Sequence, residues 1–308
     1  MKISRAIKEF LRHNTVSKGY SPLTLRNYTM YLARFQTWCD QNNLENVTQI
    51  TAEDVEEFQM YLRGSERSPS PKTQNYYLIA IRSLLKYLAK KDVEGVLSSE
   101  KITLAKTASR QVIFVENDEI EKIRSVVDTS TTSGKRDLAI ISILFSTGLR
   151  IAELVKLKRE QVIAKSEFSI KGKGGKVRPV FLTERAQKDL KNYLLSRKDS
   201  NSYLFIRHHR KPELDNAVKP LTARTIQRLI TVYAKACDIN KPVTPHKLRH
   251  GFATELLRSG ADLRSVQALL GHSSITTTQA YTHVTDRSLR EAHKKFHSDN
   301  TPKEPASS

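Results

Sequence analysis

The chain of 308 residues has few cysteines and no long apolar run. Its two cysteines, Cys39 and Cys237, are far apart and show no metal-ligand spacing, so we interpret them as small core residues in a reducing cytoplasm. The longest apolar stretch, residues 138–145, is much too short to cross a bilayer. The first 14 residues mix charged and apolar side chains, which is not the pattern of a secretory leader. We therefore expect a protein that is soluble in the cytoplasm or lies in a nucleoid, with no membrane partner.

Acidic residues are few relative to basic ones. Lys and Arg number 52 against 32 Asp and Glu, which gives a formal net charge of +20. Because the hydrophobic content of 38% is that of an ordinary globular protein, this excess indicates a polyanionic partner, nucleic acid first. An anionic membrane surface is the alternative, but no basic amphipathic segment flanks an apolar anchor. The length of the chain fits two domains.

Residues 1–91 have the pattern of four helices that form an all-α domain. The first begins at Ile3, and the second opens with Ser21 followed by proline, a capping residue before a favoured first helical residue. The third begins at Thr51 with an acidic first turn, and the fourth covers about 70–90.

The helical period disappears between residues 92 and 112, where we predict a linker. Its cations would suit a linker that lies along a phosphate backbone, and a merely solvated linker is equally consistent with them. Residues 113–297 form a second, mainly helical domain that contains a strongly apolar helix at 136–147. Within it, 162–182 predicts three short strands with a glycine turn before the last. Residues 298–308 have the composition of a disordered tail.

Two places in the second domain offer cations to a phosphate. Arg150 follows a helix that ends in glycine, and a guanidinium binds phosphate by two points as an ammonium cannot. The alternative is a surface ion pair between Arg150 and Glu153. Lys173 and Lys176 belong to GKGGK on a predicted β-turn. This is not a P-loop, because neither lysine precedes Ser or Thr, so it is either a mobile cation or a basic flexible turn.

A third group lies near the end of the domain. His246 and Arg249 are three residues apart, so they share a helix face and suit proton transfer beside a phosphate clamp. His246 and His250 could form a metal pair, but no third ligand is suitably spaced, so we expect no metal. His272 follows a glycine that should end a helix, and Tyr281 lies nine residues further on. A tyrosine taken alone is more often a half-buried structural residue than a nucleophile.

Together these motifs form a specific order. TGLRIAEL, GKGGKVRPV, TPHKLRHGFAT and VQALLGHSSITTTQAYTH place an arginine, a β-turn lysine, H-x-x-R, Gly-His and a tyrosine along the chain. In this order the sequence resembles the tyrosine recombinases, closest to the Xer and phage-integrase branch. The resemblance covers nearly the whole chain, and no family position that we can place is substituted. It implies the tyrosine recombinase fold, with a four-helix, SAM-like core-binding domain and a catalytic domain that carries a small antiparallel β-sheet.

The resemblance also implies the chemistry. Tyr281 matches the nucleophile, which attacks a scissile DNA phosphate to form a 3′-phosphotyrosyl link and frees a 5′-hydroxyl. Arg150 and Arg249 match the arginines that bind the non-bridging oxygens. They would offset the charge that builds up in the pentacoordinate transition state.

Three further residues complete the implied catalytic set. Lys173 matches the β-turn lysine that protonates the leaving oxygen, with Lys176 as its nearby competitor. His246 matches the group that exchanges a proton with the tyrosine, and His272 matches a hydrogen-bonding position at the phosphate. Neither a metal nor ATP is implied, so we expect no cofactor.

The implied partner is a double-stranded DNA recombination site, bound by a homotetramer or heterotetramer that exchanges strands through a Holliday junction. The helix at 285–297 would dock on a neighbouring subunit through Leu289 and Phe296. A terminal helix packed on its own subunit is the alternative. Candidate DNA contacts lie in two helices: Lys72, Thr73, Asn75, Thr222, Arg224, Gln227 and Arg228.

Three functional hypotheses are compared for a protein with these motifs. The leading hypothesis is a Xer-like recombinase that resolves chromosome or plasmid multimers, a task of chromosome partition at cell division. An integrase of a mobile element or virus would use the same chemistry, but we find no additional arm-binding domain before the helical domain. A DNA-binding regulator that does not cleave is disfavoured by the complete set of six catalytic-type residues.

Overall fold

The structure is a computed structural model that describes residues 1–65, 68–105, 114–172, 175–209, 214 and 219–271. It divides into two compact units, Met1–Arg110 and Gln111–Ser308. Each unit has its own apolar core. The two-domain, mainly helical architecture expected from the sequence is confirmed. No helix in the described part of the chain is long and apolar enough to span a membrane.

Among its described residues, the first unit contains the four predicted α-helices and two short 3₁₀ helices, Val47–Gln49 and Ser99–Lys101. The α-helices are α1 (Ile3–Val16), α2 (Pro22–Gln41), α3 (Ala52–Gly64) and α4 (Pro71–Ala89). Local signals set where three of them begin, α2, α3 and α4. Ser21 and Ser70 each accept a hydrogen bond from the backbone N–H three residues on, and each precedes a proline at the first helical position. At α3, Thr51 and Asp54 form a reciprocal capping box.

An aromatic cluster lies at the centre of the first unit. The rings of Phe35 and Phe58 are 5.0 Å apart, and those of Trp38 and Phe58 are 5.7 Å apart. Ile102 packs against this core although it falls within the segment that we predicted as a linker. Its 4% exposure shows that part of this segment belongs to the packed unit.

The second unit contains eight helices among its described residues, and two strands. The helices are α5 (Asn117–Ser125), α6 (Thr132–Thr147), α7 (Ile151–Leu154), α8 (Arg159–Val162), α9 (Glu184–Ser196), α10 (Ala223–Ala236), α11 (Pro245–Arg258) and α12 (Leu263–Leu270). The strands are β1 (Glu167–Lys171) and β2 (Val177–Phe181), which pair antiparallel with Lys171 opposite Val177. The predicted strand at the beginning of 162–182 is wrong, because Val162 ends α8 and the chain becomes extended only at Glu167.

Helix α6 is the central element of the second unit, and it packs against α9 and α11. Its Ile140, Ile141 and Leu144 are fully buried, which explains its apolar sequence. The helix ends at Gly148, whose backbone is left-handed with a φ of 58°. Glycine adopts this conformation without steric cost, so the chain can turn at once into the short helix that follows Arg150.

Candidate active site

Arg150 lies between the end of α6 and the start of α7. Its backbone N–H donates to Glu153 Oε2 at 2.8 Å, and its Nη1 donates to Glu153 Oε1 at 3.1 Å. Its Nη2 donates to the carbonyl of Gly271 at 3.0 Å. The ion pair with Glu153 that the sequence offered as an alternative is therefore present. It holds the guanidinium beside the end of α12.

Arg249 reaches the same place from α11. It is 4% exposed, and its Nη1 donates to the carbonyl of Gly148 at 2.6 Å. Its Nη2 donates to the carbonyl of Leu270. Carbonyl groups at the ends of helices carry partial negative charge, which suits a buried cation. Since Arg249 and Arg150 bind the successive carbonyls of Leu270 and Gly271, the structure brings the two predicted phosphate-binding arginines side by side.

His246 lies one helical turn from His250 on α11. Their Nε2 atoms are 2.9 Å apart and their rings are nearly perpendicular, at 79°. Only one proton can lie between two ring nitrogens at this distance. Burial, together with the charges of His246 and Arg249, lowers the pKa of His250 to about 4, so this ring is neutral at physiological pH. Among the described residues, no group of three His, Cys, Asp or Glu side chains could hold a metal ion.

Three predicted catalytic residues, Lys173, His272 and Tyr281, lie outside the described residues. The structure does describe the residues that directly precede Lys173 and His272, which are Gly172 and Gly271. Gly172 begins the turn between β1 and β2, and its N–H donates to the carbonyl of Lys176 at 2.8 Å. Gly271 ends α12 with a left-handed backbone, at a φ of 62°. Lys176 itself is exposed.

Two further residues belong to this site. No sequence motif indicated Arg178, and the sequence indicated Glu153 only as a surface partner of Arg150. Arg178 on β2 donates from both Nη atoms to the carboxylate of Glu153, at 3.0 and 2.7 Å. Burial disfavours ionisation of Glu153, but the hydrogen bonds and charges of Arg178 and Arg150 outweigh it and lower the pKa of this carboxyl. The alternation of residues along β2 does give one indication that Arg178 has a partner. Arg178 occupies an inward position in a strand where Val180 also points to the core, and a buried cation requires a partner.

The candidate DNA contacts lie in different units. Near the start of α4, Lys72 is exposed. The side-chain amide of Asn75 instead donates to the carbonyl of Ala105 at 2.9 Å and accepts from the N–H of Ala105 at 3.0 Å. The hydroxyl of Thr73 lies 3.0 Å from that of Ser70. The candidates on α10 are exposed: Thr222, which caps the helix, Arg224, Gln227 and Arg228.

Two family models match this chain. Residues 114–288 match the phage integrase family, and residues 7–92 match the phage integrase N-terminal SAM-like domain. Both matched regions correspond to the two units of the structure, and together they cover most of the chain.

Curated relatives are similar along nearly the whole chain. Tyrosine recombinase XerD of Listeria innocua is 37% identical, over 94% of this chain and 98% of that protein. Tyrosine recombinase XerA of Pyrococcus horikoshii is also 37% identical, over 90% of this chain and 89% of that protein. The crystal structure of XerH site-specific recombinase bound to palindromic difH substrate has the same fold, with a TM-score of 0.68 at 23% identity over 96% of this chain and 85% of that one. The chain therefore belongs to the phage integrase family, and it is a tyrosine recombinase.

Proposed function

We propose that this site-specific recombinase cleaves DNA with Tyr281 and clamps the scissile phosphate with Arg150 and Arg249. One observation carries the proposal: the two guanidinium groups, from residues 99 positions apart, bind the neighbouring carbonyls of Leu270 and Gly271. Two fixed cations at one place suit a doubly oxygenated anion. The chain then continues from Gly271 towards the tyrosine ten residues later.

The proposed step is an in-line transfer of the phosphoryl group. The Oη of Tyr281 forms a bond to phosphorus, and the bond between phosphorus and the 5′-oxygen breaks. His246 takes the phenolic proton, while Lys173 gives a proton to the departing 5′-oxygen. His272 donates a hydrogen bond to the phosphate. These roles follow from the match to the family motifs.

Charge stabilisation is the part of the reaction that the described residues support most directly. Arg249 is buried and held by two carbonyls, so it does not have to reorganise when charge develops on the phosphate. Preorganised donors of this kind contribute on the order of 3–4 kcal/mol each to transition-state stabilisation. The phosphotyrosyl bond retains the energy of the broken phosphodiester, so the strand can be rejoined without ATP or a metal.

We further propose that the protein acts in the cytoplasm on a double-stranded recombination site, as a tetramer that exchanges strands through a Holliday junction. Residues 113–297 would form the catalytic domain and residues 1–91 the core-binding domain, with the helix at 285–297 docked on a neighbouring subunit. The names of the relatives, XerD and XerA, favour a Xer role in resolving chromosome or plasmid multimers.

The test is covalent trapping. Duplexes that the wild-type protein enriches from a random-sequence library are nicked at successive positions, so that a cleaved fragment diffuses away and rejoining fails. We expect a protein–DNA adduct that survives denaturation and disappears in Tyr281→Phe, while the control Tyr61→Phe forms it normally. An adduct that persists in Tyr281→Phe would remove the tyrosine from its role. Sequence-specific binding without an adduct on any nicked duplex would instead favour a regulator that does not cleave.

A further inference from the structure

A buried arginine on the β-hairpin contacts three segments that flank the proposed catalytic residues. Arg178 is 5% exposed and forms a two-point ion pair with Glu153 of α7. Its Nη1 also lies against two glycines: a Cβ added at Gly172 would be 3.1 Å from this nitrogen, and one added at Gly271 would be 3.0 Å away. One guanidinium therefore fills the space between the hairpin turn, the start of α7 and the end of α12.

Glu153 transmits the position of Arg178 to Arg150. The Oε1 of Glu153 accepts from Arg178 Nη1 at 3.0 Å and from Arg150 Nη1 at 3.1 Å. The lowered pKa of Glu153 keeps it ionised between the two cations. A displaced Arg178 would leave the carboxylate with one cation fewer, and the carboxylate would re-orient around Arg150. The guanidinium of Arg150 would then leave the geometry that it holds against Gly271.

The ion pair of Arg178 is not explained by stability. Buried ion pairs contribute little net stability, because desolvation of both charges offsets their attraction. The second unit contains a comparable pair away from the site. The side chain of Arg124, on α5, is 9% exposed against 6% for that of Arg178, and its Nη2 lies 2.6 Å from Asp189. In both arginines the Nε has no hydrogen-bond partner among the described residues. The geometry differs, because Arg178 binds one carboxylate by two points, whereas Arg124 binds Asp189 through Nη2 and the hydroxyl of Ser142 through Nη1.

We propose that Arg178 is a positioning residue of the recombinase. Through Glu153, Gly172 and Gly271 it fixes the relative positions of Arg150, of the turn that leads in sequence to Lys173, and of the turn that leads to His272. This inference rests on the proposed function and adds to it. A loss of Arg178 should slow the chemical step, because it would displace Arg150 and the glycines that directly precede Lys173 and His272 in sequence, and should leave DNA binding nearly unchanged. Misplacement of reacting groups by about 1 Å can cost on the order of 100-fold in rate.

The experiment compares Arg178→Gln with the matched control Arg124→Gln. The probe is the nicked duplex on which the wild-type protein forms its adduct. Three quantities are measured for each variant: the thermal midpoint, the dissociation constant for the intact duplex, and the single-turnover rate of adduct formation at saturating DNA. We expect Arg178→Gln to slow the rate by about 100-fold with a dissociation constant within about threefold of wild type. The rate of Arg124→Gln should stay within about threefold, with a comparable change in thermal midpoint.

Two further variants extend the test, and the first of them keeps the inference testable if Arg178→Gln does not fold. Arg178→Lys retains the charge but cannot form a two-point pair, so we expect an intermediate rate. The double variant Glu153→Gln with Arg178→Gln should be no slower than the slower single variant, because the two residues act as one unit.

Three outcomes would overturn the inference. Arg178 would have no positioning role if Arg178→Gln or Arg178→Lys reacted at the wild-type rate, or if Arg124→Gln slowed the reaction as strongly. A wild-type protein that formed no adduct would contradict the proposed function, and the inference would fail with it. A wild-type adduct with unaffected Arg178 variants would contradict the inference alone.

Discussion

Gly148 should be the least replaceable glycine beside the arginine pair. It ends α6 with a left-handed backbone, at a φ of 58°. Its carbonyl accepts a hydrogen bond from Nη1 of Arg249 at 2.6 Å. A Cβ at this position would lie 2.4 Å from Cδ1 of Phe252 and 3.1 Å from Cδ2 of Leu270. Gly148→Ala therefore combines backbone strain with a steric overlap, and it moves the carbonyl that holds Arg249.

The expected loss of stability can be divided into parts. The left-handed conformation costs an alanine about 1–2 kcal/mol. Overlap with packed side chains adds about 1–3 kcal/mol. The stiffer unfolded chain returns about 0.4–1 kcal/mol. Gly148→Ala should thus lower the free energy of unfolding of the second unit by roughly 2–4 kcal/mol.

The matched control is Gly260→Ala. Gly260 also has a positive φ, 93°, but a Cβ there would meet no atom within 4 Å. Gly260→Ala therefore carries the backbone strain without the overlap. In urea unfolding it should lose less free energy of unfolding than Gly148→Ala, by about 1 kcal/mol or more. Adduct formation should also fall in Gly148→Ala and not in Gly260→Ala. Equal losses of stability in the two variants would mean that overlap with Phe252 does not contribute to the cost of Gly148→Ala.

The remaining predictions concern pH, packing and salt. Because burial and the neighbouring charges of His246 and Arg249 lower the pKa of His250 from 6.5 to about 4, the unfolded state binds this proton first, and stability is lost as pH falls from about 6.5 towards 4. The full pKa shift corresponds to ~3 kcal/mol of stability, and we expect about half of it because the ring is partly exposed. His250→Gln should flatten the pH dependence of the urea midpoint. An unchanged slope would mean that His250 does not cause this dependence. Phe58→Ala should cost the first unit about 3–5 kcal/mol in urea unfolding, and a loss below about 1 kcal/mol would mean that the aromatic cluster does not carry its core. DNA affinity should fall by about 1,000-fold or more between roughly 50 and 200 mM salt, and titrations that show almost no salt dependence would contradict a polyanion-binding role for the +20 charge.

The elements that the sequence predicted well are those with local signals. Helices α2, α3 and α4 each combine a capping residue with an apolar stripe, and both can be read within a few residues of each other. The hairpin was predicted because β1 and β2 alternate around glycines. The error before β1 has a physical reason, since a four-residue helix such as Arg159–Val162 is too short to show a helical period.

The arrangement of the site depends on contacts that local patterns do not contain. The motifs identified Arg150 and Arg249, but their anchors are backbone carbonyls of Gly148, Leu270 and Gly271, which carry no side-chain signal. Arg178 and Glu153 are 25 residues apart and meet only because β2 packs beside α7. Similarly, the packing of Ile102 on the first core is a long-range contact in a segment without a helical period.

The proposed reaction joins Tyr281 to the 3′-phosphate of the cleaved strand. The adduct trapped on the nicked duplex can be digested with nuclease and protease, and the modified peptide sequenced by mass spectrometry. We expect a nucleotide attached through its 3′-phosphate to the oxygen of Tyr281, with a 5′-hydroxyl on the released strand. A nucleotide on any other residue, or one attached through a 5′-phosphate, would contradict the proposed reaction.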